Sequence, residues 1–136
     1  MPASFRVSIR ADRDGVAKVS AAFADFAEAH AVSDGVRRGM AVALDELLSN
    51  TVSYGTADDG SEVTVEGKIV PGKLIITVTD SGRPFDPLSQ MPPDTSLSVE
   101  DRPMGGLGIH LVRQLVDDVR YERRSDRNVV VLTKRT

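Results

Sequence analysis

The chain has 136 residues, 40% of them hydrophobic and 27% charged, with a formal net charge of −3; this is the make-up of one globular domain and gives no electrostatic case for direct nucleic-acid binding. It contains no cysteine, which excludes a disulfide scaffold, thiolate metal sites and a cysteine nucleophile. No apolar run approaches the ~18 residues of a membrane span and the first residues lack a signal-peptide stretch, so no membrane contact and a cytoplasmic location are expected.

Residues 5–10 alternate apolar and polar side chains, which predicts a half-buried strand. Val16, Val19, Phe23, Phe26 and His30 recur at helical steps and predict an amphipathic helix over 13–31, capped by Asp12 or Asp14, with His30 as half-buried packing. Ser33 or Asp34 opens a second helix over 34–54, whose apolar set includes Met40, Leu44, Leu47 and Leu48, with Gly55 as its stop. Val63, Val65, Gly67 and Ile69 alternate with polar residues, Pro71-Gly72 is a turn signal, and the β-branched run 74–79 reads as a central, buried strand. Five of the seven prolines (84, 87, 92, 93 and 103) fall within 80–104, which predicts a long loop of the functional kind. Gly105-Gly106-Leu107-Gly108 then opens a third helix through Ile109, Val112 and Val116, and two closing strands, 119–122 and 129–133, flank a turn at Ser125-Asp126-Arg127-Asn128. The order β-α-α-β-β-loop-α-β-β does not suit a doubly wound parallel sheet. It predicts an α+β, two-layer α/β sandwich spanning 1–136 as a single domain, with about three helices on one face of a mixed, mostly antiparallel sheet of about five strands.

Three clusters carry chemistry. Glu46 and Asn50 share one helix face, a turn apart. The carboxamide offers a neutral oxygen to Mg²⁺ and the carboxylate can take a proton, although a lone pair of this kind is also an ordinary solvated face. Asp80 ends the buried strand; in Asp80-Ser81-Gly82 its carboxylate can accept from an exocyclic amine while the glycine lets a flat ring approach, and the same residues also make a common turn. The glycines at 105, 106 and 108 suit a phosphate cradle at a helix N-terminus, or a flexible joint. They match neither a P-loop nor a dinucleotide-binding turn.

In this order and topology the three clusters resemble the histidine kinase-like ATP-binding superfamily shared by sensor histidine kinases, DNA gyrase B and MutL. Within it, Glu46-x-x-x-Asn50 and the stretches 80–87 and 104–112 are most similar to the anti-sigma-factor serine/threonine kinases of bacterial partner switches. The resemblance implies ATP and Mg²⁺, with Asn50 as the metal ligand and Glu46 as general base toward a partner's serine. It implies Asp80 and Gly82 around adenine, Gly105, Gly106, Leu107 and Gly108 beside the phosphates, Thr133 as a second adenine contact through water, and residues 88–104 as a lid. One departure is Pro84, where the superfamily pattern has glycine, which stiffens the loop.

The activity implied is that of a protein serine/threonine kinase acting as an anti-sigma factor. Such a kinase phosphorylates a small anti-anti-sigma (STAS) antagonist, binds a sigma factor or another effector, and can pair as a homodimer. The alternatives are a non-catalytic ATP-binding sequestering module and a detached histidine-kinase catalytic domain. Arg120, Arg123, Arg124 and Arg127 read as a solvated basic face.

Overall fold

The structure, a computed structural model, describes residues 3–52, 62–89 and 106–136. The elements run β1 (Ala3–Arg10), α1 (Arg13–Ala29), α2 (Asp34–Asn50), β2 (Glu62–Val70), β3 (Lys73–Asp80), α3 (Gly106–Leu115), β4 (Asp118–Arg124) and β5 (Arg127–Arg135). Three helices pack against an open sheet of order β1-β2-β3-β5-β4. Every pairing in it is antiparallel, where a mixed, mostly antiparallel sheet was expected. The connections explain this. Two helices between β1 and β2 return the chain in the opposite sense. A single helix between β3 and β4 sends those two strands the same way, and β5 inserts between them, so no parallel pair touches.

Alternation along each strand sorts side chains between two environments. Leu74, Ile76 and Val78 of β3 and Val130 and Leu132 of β5 face the helices, where they are buried with Val19, Phe23, Met40, Leu44, Leu47, Ile109 and Val112. On the uncovered face, Ile75, Thr77, Val129 and Val131 are only half-buried. No helix among the described residues is long and apolar enough to cross a membrane.

Local chemistry sets the helix ends. Asp12 caps α1, its Oδ1 accepting from the Gly15 amide at 2.7 Å. A Cβ at Gly15 would stand 2.1 Å from the Arg10 carbonyl oxygen, so only glycine lets α1 start this close to the end of β1. The far end of α1 closes with Val32 N donating to Ala27 O at 3.0 Å and Ala31 N to Glu28 O at 3.2 Å. Ala31 takes the left-handed conformation there, at φ +54°. His30 is exposed rather than half-buried, its ring 4.8 Å from that of Phe26. Ser33 occupies the N-cap position of α2 without a side-chain capping bond. That helix ends at Asn50 and widens into π geometry at Thr51 and Val52; the rest of its predicted length lies outside the described residues.

Two contacts fix the layers. Lys134 of β5 passes Gly39 of α2 and donates to Leu115 O at 2.6 Å, satisfying the C-terminus of α3. On the other side, Phe5 lies across β2 and packs on Phe26 with ring centroids 4.8 Å apart. A Cβ at Gly67 would sit 2.2 Å from Cε1 of Phe5. Gly67→Ala is therefore expected to destabilise the fold by about 1–3 kcal/mol through overpacking, read as a lower urea midpoint at unchanged slope.

Candidate functional site

Strand and helix direction put the three sequence clusters at one end of the molecule. Gly39 of α2 and Leu115 of α3 both meet Lys134, which pairs with Leu74 near the start of β3. From that level α2 advances about 16 Å to Asn50 at the ~1.5 Å helical rise. Strand β3 advances about 20 Å to Asp80. Helix α3 ends at that level and buries Ile109 and Val112 in the core, so it runs the opposite way and its first residues, Gly106-Leu107-Gly108, start at the same end of the molecule as Asn50 and Asp80. Gly105 and residues 90–104 of the expected lid lie outside the described residues. The preceding Pro87–Ser89 form a short 3₁₀ turn, with Leu88 N donating to Asp86 Oδ1 at 2.8 Å.

Asn50 is 5% exposed, and its Nδ2 has no hydrogen-bond partner among the described residues. Burying an amide unpaired costs about 1–3 kcal/mol, so a carboxamide left so inside a helix end points toward a ligand. Glu46, one turn earlier and half-buried, makes no hydrogen bond or ion pair among the described residues. The two unpartnered side chains therefore stand together, as the sequence spacing predicted. Neighbouring Thr51 is buried but satisfied, its Oγ1 donating to Leu47 O at 3.1 Å.

Asp80 is 6% exposed and faces the helix layer at the end of β3. Its Oδ1 accepts from Gly82 N at 2.9 Å and from Asn128 Nδ2 at 3.0 Å. Gly82 is buried beneath this turn, and its carbonyl accepts from Arg123 Nη1 at 2.8 Å. Asn128, Tyr121 and Arg123 were not singled out for this site in the sequence. The turn between β4 and β5 is the two residues Ser125 and Asp126, both at positive φ, rather than the four residues 125–128. Asn128 is thereby a strand residue directly opposite Asp80 and 2% exposed. The available signal was parity: position 128 continues the inward series of Leu132 and Val130.

The same parity displaces Thr133. It pairs with Ile75 and Asp118, on the uncovered sheet face and at the end of the strand away from Asp80. The structure does not bring it to the other site residues; the polar residue opposite Asp80 is Asn128. The arginine cluster also divides. Arg120 and Arg124 form exposed ion pairs with Asp118 at 2.9 Å and Glu122 at 2.6 Å, whereas Arg123 turns to the Gly82 carbonyl. Two cavities of about 440 Å³ lie elsewhere, between α1 and α2 around Ala27 and Val32, and on the uncovered sheet face around Arg6 and Ile75; none of these site residues lines either one.

The profile of the histidine kinase-like ATPase domain matches residues 9–134. A serine-protein kinase RsbW of Listeria monocytogenes is 33% identical over 84 residues, which cover 58% of this chain and 54% of the relative. One from Bacillus cereus is 30% identical over 99 residues, covering 70% of this chain and 61% of the relative. The matches thus span between half and two thirds of those relatives' length. Among solved structures, the RsbU and RsbW domains of Rv1364c from Mycobacterium tuberculosis superpose with a TM-score of 0.67 at 17% identity, covering 97% of this chain and 32% of that one; the likeness is one of fold.

If the Asn50 amide is an unmet polar group held for a ligand, Asn50→Leu should raise the unfolding free energy of the ligand-free chain by about 1–3 kcal/mol. A thermal midpoint that stays level or falls would show the amide to be satisfied within the fold.

Proposed function

The chain belongs to the histidine kinase-like ATPase domain family, and from that premise we propose that it is an ATP-dependent protein serine kinase of the partner-switching kind. The observation that carries the proposal is the pair of unpartnered side chains, Asn50 buried and Glu46 half-buried, one turn apart on α2. Nucleotide binding alone gives no use to the carboxylate; a transfer reaction does. Similarity to kinases named RsbW supports the same reading.

Asn50 fits a divalent cation through its side-chain oxygen, a neutral ligand, while its Nδ2, a donor with no partner among the described residues, suits an acceptor such as a phosphate oxygen. Among the described residues no group of three or more His, Cys, Asp or Glu side chains could form a metal cage, and Asn50 is the residue that would hold Mg²⁺ beside phosphate and water. Bound Mg²⁺ supplies charge neutralisation at the phosphates.

The remaining work falls to the chain. Asp80 accepts from the adenine amino group, and Gly82 leaves room for the ring. The start of α3, at Gly106-Leu107-Gly108 with Gly105 before it, presents backbone amides and the positive helix end to phosphate. Residues 88–104 act as the lid. Glu46 takes the proton from the partner's serine hydroxyl as its oxygen bonds the γ-phosphorus and ADP departs. The partner is a small anti-anti-sigma (STAS) protein, and a sigma factor or comparable effector is the protein held in the alternate state. The added phosphate charge ejects the antagonist from the complex.

Two variants divide nucleotide recognition from transfer. Asp80→Asn should weaken ATP binding at least tenfold by calorimetry, about 1.4 kcal/mol, because the acceptor facing the amine becomes half donor. Glu46→Gln should leave ATP affinity within a few-fold while cutting single-turnover phosphorylation of a partner serine by about 10²–10⁴-fold. Transfer at the wild-type rate in the second variant would leave Glu46 a surface carboxylate and favour the sequestering module instead.

A further inference from the structure

Asn128 uses its whole hydrogen-bonding capacity inside the protein. Nδ2 donates to Asp80 Oδ1 at 3.0 Å and to the Arg83 carbonyl at 2.8 Å. Its Oδ1 accepts from Phe85 N at 3.1 Å and from the Tyr121 hydroxyl at 2.6 Å. An asparagine has two N–H donors and two acceptor lone pairs, so none is left for a ligand. Exchanging oxygen and nitrogen would set acceptor against acceptor at Asp80 and Arg83 and donor against donor at Phe85, so the network also fixes the orientation of the carboxamide.

Three separate segments meet at this one side chain: the end of β3, the turn over 82–85, and β4 through Tyr121. On Asp80, both donors among the described residues reach Oδ1. The other oxygen is the one that remains to accept from outside, and its direction is set by the rotamer that Asn128 and Gly82 N hold in place. We infer that Asn128, braced by Tyr121, is a positioning residue that aims the free carboxylate oxygen of Asp80 at the 6-amino group of the purine, and so sets base selectivity without touching the nucleotide. The inference rests on the adenine reading of Asp80 proposed above.

The experiment compares calorimetric affinities for ATP and for the triphosphate of purine riboside, which lacks the 6-amino group. Their ratio isolates the Asp80 contact, since the phosphates and ribose are common to both. The wild-type chain should prefer ATP at least tenfold. Asn128→Asp keeps the shape but replaces the donor to Asp80 by a second carboxyl oxygen, and should bring the ratio close to one. Tyr121→Phe removes a single hydroxyl and should lower the ratio about threefold while thermal unfolding shows the chain folded. If Asn128→Asp does not fold, Tyr121→Phe carries the test. Wild-type ratios in the folded variants, or equal weakening of both ligands, would overturn the inference, because a purely structural role moves both affinities together. Equal binding of both triphosphates by the wild-type chain is a separate result: it overturns the adenine reading itself.

Discussion

Among the described residues the helices cover one face of the sheet, and the placement of each site strand residue follows from that. Alternation then decides for each strand residue whether it meets the core or the open side. Asp80 and Asn128 fall on the covered side, so their polar groups are enclosed and must find partners. Direction does the rest. The end of α2 lies beside the start of α1, which meets the end of β1, and α3 runs back from Leu115 through the core, so the end of one helix, the end of the central strand and the start of another helix share one end of the molecule.

The buried polar groups at that end are of two kinds. Asp80 and Asn128 are closed into a network that also ties down the chain from Gly82 to Phe85. Asn50 is left open. Low dielectric surroundings strengthen satisfied bonds and penalise missing ones alike. One side of the site is therefore rigid before anything binds, while the other gains most from the arrival of a ligand. This division suits recognition of a flat base by the prebuilt side and of a charged, solvated group by the unfinished one.

Much of this was legible in the sequence. Helical spacing gave α1 and α2, the β-branched run gave β3, and Asp80 stood out as a carboxylate ending an apolar strand. The all-antiparallel pairing was not legible, because it depends on β5 inserting between β3 and β4, which no local pattern states. Asn128 was missed for a local reason. Ser125-Asp126 does not carry the Asn-Gly or Asp-Gly signature of a two-residue hairpin turn, so the turn was read too long and the asparagine was placed within it. The proposed role of Thr133 went astray by the complementary error: its residue type suited a polar contact, but one step of parity puts it on the opposite face of the sheet. His30 continued the apolar spacing of α1 and yet lies beyond the last covered turn, where the helix has already closed at Ala31.

The open amide of Asn50 also bears on how much folded protein a cell holds. A ligand that satisfies it binds the native chain and has no counterpart site in the unfolded one. By mass action such a ligand stabilises the fold by about 2.7 kcal/mol at a hundred times its dissociation constant. With the nucleotide of the proposed function as that ligand, folded abundance would track nucleotide supply, and depletion would expose more of the population to proteolysis.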